Sequence, residues 1–326
     1  MANSLEMDFE GLMPTGQPNV TENMSNYYDN YDIEGAAPCK VTEGLPRTLT
    51  TIFLLLLLIL GFFGNIWFLF KLIQNGIKKL CHVVLMAMCL NAFVGCVVVL
   101  LTTLQRFLAF STPACQFLNF TFYFYVFFGI LLVCVLCFDT WCAIWMPASN
   151  QSTSCNGVIW CTVMAGLALI LTVPRVIFIK SLFMEGGLTM CYLDYGDETL
   201  YLSFLMRLFL NVFGFLLPLT FLIVFYGMCL IKLFKAVFKA RTRAIRTILV
   251  LILVFLLCWG PYHLFNFLDG LLREGFLNET CELRDILTLG IEVCTLWGMT
   301  QTTLQPVLYS LCSSQLRANL FSCIRR

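Results

Sequence analysis

Charge is what this chain has least of. Only 12% of its 326 residues are Asp, Glu, Lys or Arg, about half of what a soluble domain carries, while 60% are hydrophobic. That shortage excludes a soluble globular fold, a coiled coil or a disordered polymer as a description of the whole chain. A basic excess is missing too. A net charge of +1 leaves nothing to neutralise a phosphate backbone, and the aromatic residues lie in apolar runs rather than among Lys and Arg, so no nucleic-acid partner is expected. Histidine is reduced to His82 and His263, both read as packed or interfacial residues. With no phosphate-cradling Gly loop and no intramembrane His/Glu or Ser/His set, neither an enzyme nor a cofactor nor a resident metal is expected. The two halves share no duplication of the kind inverted-repeat transporters carry. Residues 1–46 are polar and lead into a long apolar run, a pattern unlike a cleavable leader.

Apolar runs are what the chain has in abundance. Seven reach the length of about 20 residues that crosses a 30 Å hydrocarbon core as helix. They fall at roughly 48–71, 82–105, 116–146, 156–179, 201–233, 245–271 and 285–311. The expectation is an all-α protein: a seven-transmembrane helix bundle over 47–311, preceded by a disordered acidic extracellular tail (1–46). A short cytoplasmic amphipathic helix and tail (312–326) follows. Cys323 in that last stretch is as well placed for palmitoylation as for remaining a free thiol.

Charge placement orients the spans. One side carries Lys71, Lys78, Lys79, Lys232, Lys235, Lys239, Arg241, Arg243, Arg246, Arg317, Arg325 and Arg326 against the single acid Asp139. By the positive-inside rule this side is cytoplasmic, so an odd number of crossings leaves the N-terminus outside. The Asn-x-Ser/Thr sites at Asn19, Asn23 and Asn278 then face the glycosylating compartment, whereas Asn150 would be cytoplasmic and Asn119 helical, so both are expected to stay bare.

Residues 1–38 hold seven acids and no Lys or Arg, with Tyr27, Tyr28, Asp29, Tyr31 and Asp32 interleaved. Such a segment repels itself and lacks a core; it suits a basic partner, and tyrosine sulfation would deepen its field, the alternative being a solubilising leader. Of 17 cysteines, four fall in extracellular segments: Cys39, Cys115, Cys191 and Cys281. Four allow three connectivities, of which Cys115 with Cys191 and Cys39 with Cys281 is the expected set in an oxidising secretory route. The rest, Cys323 apart, read as small buried hydrophobes.

Several intramembrane signatures recur in order: Gly64-Asn65, Trp160, Pro218 with Tyr226, Cys258-Trp259-Gly260-Pro261, and Pro306 with Tyr309. Together these resemble class A G-protein-coupled receptors across the whole span region. The second cysteine pair, the acidic tyrosine tail and the stretch from Pro261-Tyr262-His263 through Asp269-Gly270-Leu271-Leu272-Arg273 to Glu279-Thr280-Cys281 resemble chemokine receptors for CXC chemokines of the Glu-Leu-Arg type. They resemble still more the homologues encoded by rhadinoviruses. The resemblance implies a virus-encoded receptor in the host cell plasma membrane that binds host CXC chemokines and activates host heterotrimeric G proteins of the inhibitory type. Membrane lipids are a further partner. The ligand residues it implies are the tail residues named above together with Asp194, Asp269, Arg273 and Glu292. Glu292 stands 14 residues before Pro306, not 11 as in most chemokine receptors, where Thr295 matches. Thr140, Trp141, Lys235, Lys239, Arg241, Arg243 and Arg246 would meet the G protein.

The departures from the family pattern lie in the switch residues Asn91, Asp139, Thr140, Trp141, Tyr226, Trp259, Gln305, Pro306 and Tyr309. Asp139-Thr140-Trp141 stands where the family has Asp-Arg-Tyr, so the arginine that restrains the resting state is missing. Asn91 replaces the Asp that holds a sodium ion, Gly129 removes a nearby hydroxyl, and Gln305 replaces the Asn or Asp before Pro306. A hard cation prefers charged oxygen ligands, so weak sodium binding is expected. Losing these restraints shifts the population toward the active state, and constitutive activity is the expectation. The competing reading is a non-signalling decoy that binds and internalises chemokines.

Overall fold

The computed structural model describes residues 44–74, 76, 79–146, 153–183, 189–195, 199–234, 239–278, 280–304 and 306, with the backbone alone for 183, 190, 199–200, 233–234, 239–248 and 251. Among the described residues seven helices follow one another: α1 (Arg47–Gln74), α2 (Leu80–Gln105), α3 (Thr112–Trp145), α4 (Ser154–Val176), α5, α6 (Lys239–Arg273) and α7 (Cys281–Met299). Helix α5 comprises Thr199–Asn211, a π turn at Val212–Leu216 and Leu217–Phe234. Six of them meet the length and hydropathy of a membrane span. The seventh carries Glu282, Arg284, Asp285 and Glu292 and is interrupted at Thr300, where the cap N–H turns back to Trp297 and Gly298 carbonyls. The chain is a seven-transmembrane bundle.

Helix boundaries follow local chemistry. Thr153 opens α4 by accepting the Asn156 N–H, and Thr280 opens α7 by accepting the Leu283 N–H, satisfying donors that have no carbonyl within the helix. Helix α3 starts four residues before its apolar run, behind Ser111 with a proline in the first turn. Helix α6 begins at Lys239 rather than near 245, because Lys, Arg and Ala propagate a helix beyond the hydrocarbon as readily as Leu does within it.

Packing places α3 at the centre. Of its most apolar window 83% is buried, against 28% in α1 and 17% in α4. Leu54, Phe68, Val84, Met88, Phe127, Leu132, Leu222 and Phe255 belong to one continuous core, while Leu60, Phe63, Ile170 and Leu257 point outward, as helices apolar on all sides do in lipid.

Two of the helical prolines leave carbonyls whose lost partners are replaced by side chains of other helices. Pro261 cannot donate to Leu257 O, which accepts the Trp297 indole N–H at 2.9 Å. Pro306 cannot donate to Thr302 O, which accepts from Asn65 Nδ2 at 2.9 Å; the same amide donates to Gly61 O at 2.7 Å. Asn65 thereby fastens α1 to the segment that resumes after Thr300.

One element departs from the all-α expectation. Strands β1 (Ile179–Phe183) and β2 (Thr189–Leu193) pair antiparallel with Ser181 opposite Cys191. Five-residue strands are too short for a periodicity test, although Gly186-Gly187 in the intervening sequence is a turn signal. Cys191 bonds to Cys115 at the start of α3 across 76 residues, with the Cα atoms 5.5 Å apart. This pair is the one expected from the sequence.

Candidate ligand cavity and switch region

At the hairpin end the helices part around a cavity of about 410 Å³. Gln105 of α2, Asn119, Phe122 and Tyr123 of α3, Arg175 of α4, Cys191 of the hairpin, Arg207 of α5, Tyr262, Asn266, Asp269 and Arg273 of α6, and Ile291, Thr295 and Met299 of α7 line it. Every helix but α1 contributes, so six helices wall the cavity.

Its charges are mostly spoken for by the chain itself. Asp269, 2% exposed, receives Arg207 at 2.7 Å and Arg273 at 3.0 Å, and Arg207 also donates to Asn266 Oδ1 at 3.2 Å. Glu292 pairs with Arg106 at 3.4 Å and accepts the Leu45 backbone N–H at 3.3 Å, tying the start of α1 to α2 and α7. Asp194 meets Lys180 of the hairpin at 2.6 Å, and this hydrogen bond raises the Lys180 pKa above its ordinary value. Among the described residues, the acids read from the sequence as meeting a basic ligand, Asp194, Asp269 and Glu292, are therefore each engaged by a cation of this chain. Arg175 is different. Its guanidinium sits 5.0 Å over the Tyr123 ring, and its Nε and Nη1 are buried without a hydrogen-bond partner. Three arginines and one carboxylate line the cavity.

Phe122 and Tyr262 separate the cavity from Trp259, which meets both edge-on with ring centroids at 5.8 Å. Trp259 is 1% exposed and donates its indole N–H to Gln301. Its six-membered ring lies so close to Gly298 that a Cβ there would be 2.8 Å from it. A change of shape in the cavity can thus reach α7 through one rigid side chain. His263 beside it is a packed residue, as expected, with Nδ1 3.1 Å from Asn211 Oδ1 and the ring stacked on Phe215.

At the opposite end Thr140 spends its hydroxyl on Leu136 O within its own helix. Trp141 stacks on Phe138 at 5.7 Å and meets Phe225 of α5 edge-on at 5.3 Å, with its N–H buried and unpartnered. Tyr226 packs nearby against Ile144 and Cys229, and Lys232 lies 4.6 Å over the Trp145 ring. Aromatic contacts join α3 to α5 at the position where the Asp-Arg-Tyr arginine is missing. Asn91, 2% exposed, donates to Tyr125 O at 2.9 Å, and Pro306 faces Gly64.

Asn278 is exposed in the α6–α7 connection, and Cys281 is disulfide-bonded. Its expected partner Cys39 lies outside the described residues, as do Asn19, Asn23, Tyr27, Tyr28, Asp29, Tyr31, Asp32, Lys235, Gln305 and Tyr309 and the side chains of Lys239, Arg241, Arg243 and Arg246. Sequence reasoning missed Tyr123, Tyr262 and Asn266 as cavity residues and Phe225 as the partner of Trp141. In helices apolar on every face no periodicity marks which face turns inward.

Residues 90–309 match the family model of the 7 transmembrane receptor (rhodopsin family). The chain belongs to this family, and it is a multi-pass membrane receptor. It is 37% identical over 323 residues, 97% of its length and 98% of the relative's, to G-protein coupled receptor 74 of equine herpesvirus 2 (strain 86/87). It is 30% identical over 216 residues to C-X-C chemokine receptor type 2 of Oryctolagus cuniculus, covering 66% of this chain and 60% of that one. The human type 2 receptor is 31% identical over 198 residues, 60% of this chain and 55% of that one. The protein is thus a G-protein-coupled receptor homologous to the CXC chemokine receptors and to a herpesvirus receptor.

Proposed function

We propose that this receptor binds host CXC chemokines at the host cell plasma membrane, with its N-terminus and hairpin end outside, and activates inhibitory-type heterotrimeric G proteins without needing a ligand. The observation that carries the reading is the path from the cavity through Phe122 and Tyr262 to Trp259 and on to Gln301 in the segment that resumes after Thr300. Its homology to the C-X-C chemokine receptors supplies the ligand class. Basic chemokines meet the acidic tail first, which governs encounter rate and selectivity. The ligand's N-terminal segment then enters the cavity.

Ligand-independent activity follows from what the switch region has in place of its usual restraints. Thr140 cannot form an ion pair, and an amide at Asn91 offers a cation no charge. The G protein is met by Thr140, Trp141 and the basic run from Lys235 to Arg246. The test is G-protein dissociation in cells expressing the receptor with no chemokine added. A signal that rises with receptor density supports the reading. A flat signal, both alone and with chemokines that demonstrably bind, makes the protein a decoy.

A further inference from the structure

Midway through the bundle α2, α3 and α7 approach closely because Gly95 has no side chain. A Cβ on Gly95 would lie 2.8 Å from Tyr125 Cε2 and 3.0 Å from Thr302 Oγ1. Tyr125, 3% exposed, fills this space with its ring. Its hydroxyl is 3.3 Å from Thr302 Oγ1, and its ring meets Trp259 at 61° with centroids 6.3 Å apart. The direction of the hydroxyl contact is fixed by proton counting. Thr302 has one hydroxyl proton and gives it to Met299 O at 2.8 Å, so Tyr125 donates and Thr302 accepts. Thr302 is also the residue whose carbonyl Asn65 takes.

We propose that Tyr125 is a positioning residue for signalling. From α3 it holds the part of α7 that resumes after Thr300 and braces Trp259 from the side away from the cavity. This rests on the receptor reading above and deepens it. A tie between α3 and α7 shifts the equilibrium toward signalling by the amount it is stronger in the active arrangement than in the resting one, and that difference is what a signalling assay reads. The surrounding layer is polar and tight: Asn91 Nδ2 is bound to Tyr125 O, and the Oδ1 atoms of Asn65 and Asn91 are buried acceptors without a hydrogen-bond partner. A residue smaller than Tyr at 125 would open room for water beside these acceptors and loosen α7 from α3.

Tyr125→Phe is the cleanest probe. It removes the donor and leaves Thr302 satisfied by Met299, so no buried group loses its only partner. The full-length receptor is expressed in cells, and three quantities are read: surface receptor number, the Kd of a radiolabelled CXC chemokine, and G-protein dissociation per surface receptor. The expected result is about a fivefold fall in ligand-independent signal per receptor, the size of one lost hydrogen bond in a two-state equilibrium, with Kd weakened by no more than about the same factor because agonist affinity is linked to that equilibrium. Thr302→Val should lower the signal similarly, and the double variant no further, because both break the same contact. A merely structural role would lower receptor number and leave signal per receptor intact, which overturns the proposal, as does additive behaviour of the two substitutions. If the wild-type receptor gives no ligand-independent signal, that part of the functional reading fails by itself. The proposal is then decided by the maximal response at saturating chemokine, which must fall in Tyr125→Phe; an undiminished response overturns it.

Discussion

The indole N–H of Trp297 donates to the carbonyl of Leu257 at 2.9 Å, and Leu257 is the residue four before Pro261. A helix proline costs about 3 kcal/mol or more in a regular interior, partly through the carbonyl it orphans. In lipid no water relieves that carbonyl, so a neighbouring helix must. Helix α7 supplies the donor from a half-exposed tryptophan whose ring otherwise faces the hydrocarbon.

Trp297→Phe should therefore destabilise the receptor by about 1 kcal/mol through the lost bond. In a Pro261→Ala background, where the restored backbone N–H at position 261 can serve the Leu257 carbonyl, the same substitution should cost less. Thermal unfolding of the purified receptor in detergent, read for all four members of the cycle, measures the difference. Equal costs in both backgrounds would show that the indole acts by packing alone.

Asn65 makes two bonds from one buried amide, to Gly61 O and to Thr302 O. Asn65→Leu removes both and leaves the Pro306-orphaned carbonyl buried without a donor, which costs about 1–3 kcal/mol. Receptor number at the cell surface should fall and the purified protein should melt earlier than wild type; unchanged melting would mean that water replaces the amide.

Asp269 holds two arginines, so removing its charge should be worse than removing one of theirs. Asp269→Asn leaves Arg207 and Arg273 without a carboxylate in the cavity wall, and chemokine affinity should drop about tenfold or more. Arg273→Gln, whose partner keeps Arg207, should cost only a few-fold. Equilibrium binding on membranes ranks the two, and the reverse order would indicate that Arg273 meets the ligand directly.

Trp141 joins α3 to α5 through Phe138 and Phe225. Trp141→Ala should abolish ligand-independent G-protein activation while leaving chemokine binding in place. A decoy would show neither signal to lose nor any change in uptake of labelled chemokine.

Sodium removal completes the set. With an amide at Asn91 and the Tyr125 ring in the adjacent space, replacing sodium by N-methylglucamine in the assay buffer should leave agonist affinity and basal signal unchanged. A shift of either would mean that a carbonyl set within the bundle binds the ion despite lacking a carboxylate.

The number of helices, their order and the Cys115–Cys191 bond were legible in the amino-acid sequence, since each follows from a one-dimensional property. Apolar run length sets a span and cysteine position sets the candidates for pairing; proline position marks where a carbonyl loses its partner. What fills that vacancy is a different matter. Nothing local to Leu257 names Trp297, 40 residues away, and nothing local to Thr302 names Asn65, 237 residues away. The same holds for the cavity. The sequence displays Asp194 and Asp269 as rim acids and Glu292 as a carboxylate inside the seventh span, and only the packing of the helices selects Lys180, Arg207, Arg273 and Arg106 as their partners. In six of the helices apolar residues cover most faces, so hydrophobicity determines that a segment crosses but not how it is turned. Rotation is decided by close contacts such as Gly95 against Tyr125 and Gly298 against Trp259, which exist only once the helices meet.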